Sequence, residues 1–69
     1  GKCAVDLPVG LKNSGQLVIT DAMGRNVISR SVTNRETGEK IQLELNAGIY
    51  DVTISDATGQ RWHSRAIVQ

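Results

Sequence analysis

Two segments of this chain are near copies of each other: Ile19-Thr20-Asp21-Ala22-Met23-Gly24 and Ile54-Ser55-Asp56-Ala57-Thr58-Gly59, offset by 35 residues, with the likeness continuing into Ser29-Arg30 and Ser64-Arg65. An aspartate at the first position of a turn caps the turn backbone with its carboxylate, and a glycine three residues on takes the left-handed conformation that reverses the chain. Each copy is flanked by runs of Val, Ile and Thr, so each reads as a β-hairpin whose register is fixed by its turn. A chain committed to two such hairpins is committed to antiparallel sheet, and no window of the sequence supports a helix.

The remaining strands follow from alternation. Cys3 to Leu7 places Cys3, Val5 and Leu7 on one face and Ala4 and Asp6 on the other, and Pro8 and Gly10 end it. Gln16 to Asp21 is entered from the turn-rich Lys12-Asn13-Ser14-Gly15, and Asn26 to Val32 returns from the first Asp-Ala-x-Gly turn. Thr33 to Glu39, polar and carrying Gly38, is the longest loop. Lys40 to Leu45 alternates, with Ile41, Leu43 and Leu45 inward; Asn46-Ala47-Gly48 turns; Ile49 to Asp56 has Tyr50, Val52 and Ile54 on one face; Gln60 to Val68 closes the chain with Trp62, Ser64, Ala66 and Val68 inward. Six or seven short strands are too few for a filled closed barrel, so the expected fold is all-β, a small antiparallel β-sandwich of two packed sheets. All 69 residues make one domain, read as a piece of a longer protein.

A domain this small hides only about 60% of the surface of its unfolded chain. With two aromatic residues, Trp62 and Tyr50, and an otherwise aliphatic apolar set, the core is thin and no large ligand cavity is expected. The formal charge of +1 is too small to argue by itself for nucleic acid or an anionic membrane, and no nucleic-acid partner is expected. Cys3 is the only cysteine, so neither an intrachain disulfide nor a cysteine-based metal framework is available. No apolar run reaches the roughly 18 residues of a membrane span.

Residues that could carry chemistry have plainer structural readings. Asp21 and Asp56 lack the spacing of a calcium loop and are explained by turn capping. His63 and Ser64 are strand neighbours that point to opposite faces, so they cannot act as base and nucleophile, and a thin sandwich offers little concavity for a triad. No catalytic residue, metal site or cofactor is expected. Arg61, His63 and Arg65 recur with period two and form a basic stripe, which Arg30 joins from the equivalent position of the repeated hairpin. That stripe reads as a solvated outer face or as a contact for an anionic partner. Trp62 reads as a core plug or a sugar-stacking platform, and Cys3 as a small hydrophobe.

The stretch from Ile41 through Leu45-Asn46-Ala47-Gly48-Ile49-Tyr50-Asp51-Val52-Thr53-Ile54, then Gly59 and Arg65-Ala66-Ile67-Val68-Gln69, resembles the type A C-terminal sorting domains of the type IX secretion system. Those domains show an alternating strand, a Gly-Ile/Val-Tyr turn into a Val-x-Ile strand, a Gly-containing hairpin and a final apolar pair. Upstream, Leu17 to Val27 resembles the family's strand, Asp-x-x-Gly-Arg turn and returning strand. The family's opening Pro-Asn-Pro is absent, and Gln69 stands where a lysine often ends the chain.

The resemblance implies a small Ig-like antiparallel β-sandwich that rides as the C-terminal module of a longer exported cargo protein, here with its amino end trimmed. The cargo passes through the periplasm and is recognised by the outer-membrane translocon. In most members a sortase-like peptidase then removes the domain while the cargo is anchored to lipopolysaccharide at the cell surface; otherwise the product is secreted. On this reading Gly48, Ile49, Tyr50, Val52, Ile54 and Gly59 define the shape, and Arg65, Ile67, Val68 and Gln69 are the portion most available to the machinery. Anionic lipopolysaccharide is then a candidate partner for the basic stripe. The competing readings are an Ig-like spacer, adhesion or carbohydrate-contacting module, and a permanent docking or lipopolysaccharide-binding domain of a secretion component.

Overall fold

The computed structural model describes residues 1–7, 14–33 and 40–69. The turn residues Pro8, Gly10, Lys12 and Asn13 and the loop through Gly38 lie outside these residues. Six strands follow in order: β1 (Lys2–Asp6), β2 (Ser14–Asp21), β3 (Asn26–Thr33), β4 (Lys40–Glu44), β5 (Gly48–Asp56) and β6 (Arg61–Val68). They form a two-stranded sheet, β1-β4, and a four-stranded sheet of order β3-β2-β5-β6, with every pairing antiparallel. The result is the small all-β sandwich that alternation predicts, with one layer twice as wide as the other.

That inequality decides which residues become core. β2 and β5 are central strands, and their inward side chains Leu17, Ile19, Tyr50, Val52 and Ile54 are buried. β1 and β4 supply Cys3, Val5 and Ile41, extended by Leu7 and Leu45 just beyond the strand ends. Full burial of each aliphatic side chain is worth about 1.5–3 kcal/mol, so these residues carry most of the apolar drive for folding. The outer strands of the wide sheet contribute less, each with one buried hydrophobic residue, Val32 in β3 and Val68 in β6. Trp62 therefore does not plug the core centre. It and Ala66 are half-buried at the core margin, and Ser64, in register with Val52, is exposed because the narrow sheet does not reach over it.

Both Asp-Ala-x-Gly turns have the predicted chemistry. Gly24 and Gly59 adopt φ of 83° and 90°, their N–H groups donate to the carbonyls of Asp21 and Asp56, and each aspartate carboxylate caps its turn. The first strand of each hairpin also closes around the turn, Asp21 N–H to Arg25 O and Asp56 N–H to Gln60 O, both at 3.0 Å.

Past the turns the copies diverge. A β-bulge between Ile19 and Thr20 shifts the first hairpin by one residue, so Thr20 faces Asn26 but Ile19 faces Ile28. In the second hairpin Ser55 faces Arg61 and Ile54 faces Trp62 without interruption. Side chains alternate with period two, so a one-residue shift moves everything beyond it to the other face.

β2 also starts earlier than the sequence suggests. Ser14 and Gly15 read as turn residues, yet Gly15 pairs with Val32 on one side and Asp56 on the other. Two flanking strands hold in place a residue that alone favours a turn. At the opposite end of the molecule, Gly1 and Leu45 exchange backbone hydrogen bonds of 2.7 and 2.9 Å, continuing the β1-β4 ladder.

Candidate functional site

The outer face of the wide sheet is built from the residues that alternate with the core. In β5 these are Ile49, Asp51, Thr53 and Ser55, and opposite them in β6 stand Ile67, Arg65, His63 and Arg61 in the same order. Arg61, His63 and Arg65 thus share one exposed face. Asp51 lies 3.7 Å from Arg65 and 4.0 Å from His63, so one carboxylate stands beside both, and with Arg61 basic residues outnumber acidic ones in the row. Exposed pairs of this kind contribute at most about 1 kcal/mol, which makes the row a surface feature and not a structural clamp. At 4.0 Å the Asp51 carboxylate is too far from His63 to orient the ring by a hydrogen bond.

Arg30 does not join this row. It pairs with Leu17, on the side of the sheet that carries the core, and it lies on β3, at the opposite edge of the sheet from β6. The bulge in the first hairpin is the reason: without it Arg30 would share the face of Arg65, its counterpart in the repeat. Arg30 instead sits between Ile28 and Val32 along the inward side of β3.

The shape-defining set divides in two. Tyr50, Val52 and Ile54 are buried, and the Tyr50 hydroxyl donates a 2.6 Å hydrogen bond to the Asn46 carbonyl, tying the turn before β5 to the strand. Gly59 is required by its positive φ. Gly48 is different: its φ is not in the left-handed region, and a Cβ placed there would meet the Tyr50 ring at an ordinary 3.7 Å. Of the terminal set, Val68 is buried, whereas Arg65, Ile67 and Gln69 are exposed.

Ile49 and Ile67 form a cross-strand pair and are 50% and 70% exposed. Met23 in the first turn and Val27 in β3 are exposed as well. Because Asp21 pairs with Tyr50, the first turn lies at the same end of the sheet as this isoleucine pair. The exposed large hydrophobic residues therefore collect at one end of the wide sheet, beside Arg65 and the chain end at Gln69. The signal for Ile49 and Ile67 was present in the sequence: in Ile49-Tyr50 and Ile67-Val68 two apolar residues are adjacent, and in a strand one of each pair must face outward. The adjacent pair Val27-Ile28 in β3 carries the same signal, whereas Met23, in a turn, carries none.

Contrary to the expectation of little concavity, an open groove of about 590 Å³ runs between β1 and β6, walled by Lys2–Leu7 and residues 62–67 with Val52 and Ile54 beneath. It exists because the narrow sheet leaves the β6 margin of the wide sheet uncovered.

Among the described residues no three His, Cys, Asp or Glu side chains come together as a metal site would require, and no helix is long and apolar enough to cross a membrane. Asp21 is held below the usual carboxylate range, chiefly by the Arg25 backbone N–H; desolvation opposes this as the next effect in size, and the Met23 N–H and the Arg25 guanidinium add to the lowering. These are the electrostatics of a turn, not of a reaction centre.

A thin sandwich whose polar groups serve its turns, and whose exposed apolar residues gather beside its last strand, belongs to the class of small β domains that act by being bound. More specifically, the family model of the secretion system C-terminal sorting domain matches residues 2–69, and the chain belongs to that family. No curated protein and no solved structure matches the chain. Its family is one of sorting signals for type IX secretion and not a catalytic one.

Proposed function

We propose that the outer-membrane translocation machinery reads this domain in its folded form, through the outer face of the β5–β6 hairpin. Ile49, Ile67, Arg65 and Gln69 make the contact, and Tyr50, Val52, Ile54, Gly59 and Val68 act through folding. The observation that carries this reading is the Ile49–Ile67 pair, two large aliphatic side chains left in solvent on a domain with few to spare. An exposed apolar cluster rimmed by charge marks a surface meant to be covered. Family membership supports the route: passage of a cargo through the periplasm, recognition at the outer membrane, removal of the domain by a sortase-like peptidase, and attachment of the cargo to lipopolysaccharide at the cell surface. The carbohydrate-contacting alternative gains nothing from Trp62, which packs against the core margin.

The test is the double substitution Ile49→Ser with Ile67→Ser in a cargo bearing this domain. Both side chains are exposed, so the thermal midpoint of the domain stays unchanged while surface delivery of the cargo falls. Undiminished delivery by the folded double variant would refute the reading. Point substitutions are cleaner here than truncation, because deleting the last five residues also removes the buried Val68.

A further inference from the structure

Among the described residues, β6 is bonded along one edge only. Its register with β5 runs from Ser55–Arg61 to Gly48–Val68, and no other described strand pairs with it; β1, on the far side of the groove, pairs only with β4. The two free edges converge at one end, where a Cβ on Gly1 would collide with the Gln69 carbonyl, and the groove lies between them. An exposed eight-residue edge is a template for another strand.

The side chains of β6 state what that strand must look like. Arg61, His63 and Arg65 project on the outer face, with Asp51 beside His63 and Arg65, and Arg61 has no ion-pair partner among the described residues. Trp62 and Ala66, on the inner side, are half-buried against the core margin, and Cys3, Val5 and Leu7 wall the groove opposite them. A strand added to this edge sets its own side chains beside these, in the same alternation. Acidic residues complement the outer positions, and small or aliphatic residues at the positions between them continue the core into the groove. A second copy of the chain fits poorly, because an antiparallel β6–β6 pairing centred on the strand sets members of the Arg61, His63 and Arg65 row against one another, and like charges directly opposite are destabilising.

We infer that the secretion machinery completes this domain by supplying a β-strand to the free edge of β6, an extended segment that alternates acidic with small or aliphatic residues. The inference rests on the reading that the machinery engages the β5–β6 hairpin, and adds the edge and the chemistry by which it does so. The backbone ladder supplies attachment, and the cationic row selects the partner.

The probe is an acetylated, amidated octapeptide alternating valine and glutamate, added to the 69-residue chain. The control is an octapeptide of the same composition with its valines and glutamates in two blocks. Trp62, the only tryptophan, sits in the groove and reports binding by fluorescence, and hydrogen exchange reports pairing at the β6 amides. The alternating peptide slows β6 exchange, shifts Trp62 emission and loses affinity as salt rises. Arg61→Glu with Arg65→Glu weakens its binding about tenfold and turns the preference toward a valine–lysine peptide, as reversal of two exposed pairs requires. Equal binding by the blocked peptide, unprotected β6 amides, or β6 protection that grows with chain concentration alone would overturn the edge proposal. Cargo delivery by the Arg61→Glu, Arg65→Glu variant is read separately: unchanged delivery in a variant that no longer pairs with the alternating peptide would overturn the recognition reading on which the proposal rests.

Discussion

The two Asp-Ala-x-Gly turns share a motif but not an environment, and replacing each aspartate by alanine separates the two. One oxygen of Asp56 accepts the Thr58 N–H at 2.9 Å, the Thr58 hydroxyl at 2.6 Å and the Gln60 N–H at 3.0 Å, on a residue only 8% exposed. Hydrogen bonds to a charged acceptor contribute about 1.5–3 kcal/mol each. These three share one oxygen, and Thr58 and Gln60 are themselves exposed, so water takes over part of the donors' needs. The net loss for Asp56→Ala is therefore that of one strong cap with an added buried contact, about 2–3 kcal/mol.

In a domain of this size that lowers Tm by about 10–20 °C. Asp21 makes the corresponding bonds to Met23 and Arg25, but it is only half-buried, its side chain 21% exposed, and its ion partner Arg25 is exposed. Asp21→Ala is thus the milder change. Urea titrations of both variants read the difference as midpoints displaced at unchanged slope. Equal losses, or a larger loss at Asp21, would refute the assignment of burial as the distinguishing factor.

Three further outcomes follow from the same geometry. Gly59→Ala forces a side chain into the left-handed region and costs about 1–2 kcal/mol, whereas Gly48→Ala, with φ outside that region and room for a methyl group, leaves the urea midpoint within error. Tyr50→Phe removes the bond to the Asn46 carbonyl and lowers stability by about 1 kcal/mol, read by thermal melting, with cargo delivery retained at temperatures where the variant is folded. The depressed pKa of Asp21 gives it more bound protons in the unfolded than in the folded state between the two pKa values. Its contribution is therefore present above the ordinary carboxylate pKa and lost as pH falls through the lowered one, so Asp21→Asn flattens the acid limb of a stability–pH curve.

Much of the fold was legible because turn chemistry and alternation are local. Asp21, Gly24, Asp56 and Gly59 fixed both hairpins, and Tyr50, Val52 and Ile54 fixed the inward face of β5. What the sequence concealed depends on partners distant along the chain. The bulge at Ile19/Thr20 turns Arg30 away from the face of its repeat counterpart, and nothing in the matching letters marks it. Gly15 is held in strand by Val32 and Asp56. The half-burial of Trp62 and exposure of Ser64 follow from the narrow sheet having only two strands among the described residues, a property of the assembled layers and not of β6. The groove beside β6 has the same origin. The exposed isoleucine pair was available from the broken alternation at Ile49-Tyr50 and Ile67-Val68, residues that the resemblance singled out without separating the exposed from the buried.

The most direct measurement joins residues 1–69 to the carboxyl end of an unrelated, exported, fluorescent passenger and quantifies that passenger at the surface of cells with and without an intact type IX translocon. A folded sorting signal delivers the passenger to the surface only when the translocon is present, and the Ile49→Ser, Ile67→Ser variant leaves it in the periplasm with its domain still folded. Retention of the unsubstituted fusion in the periplasm, or surface delivery that ignores the translocon, would contradict a sorting role for this domain.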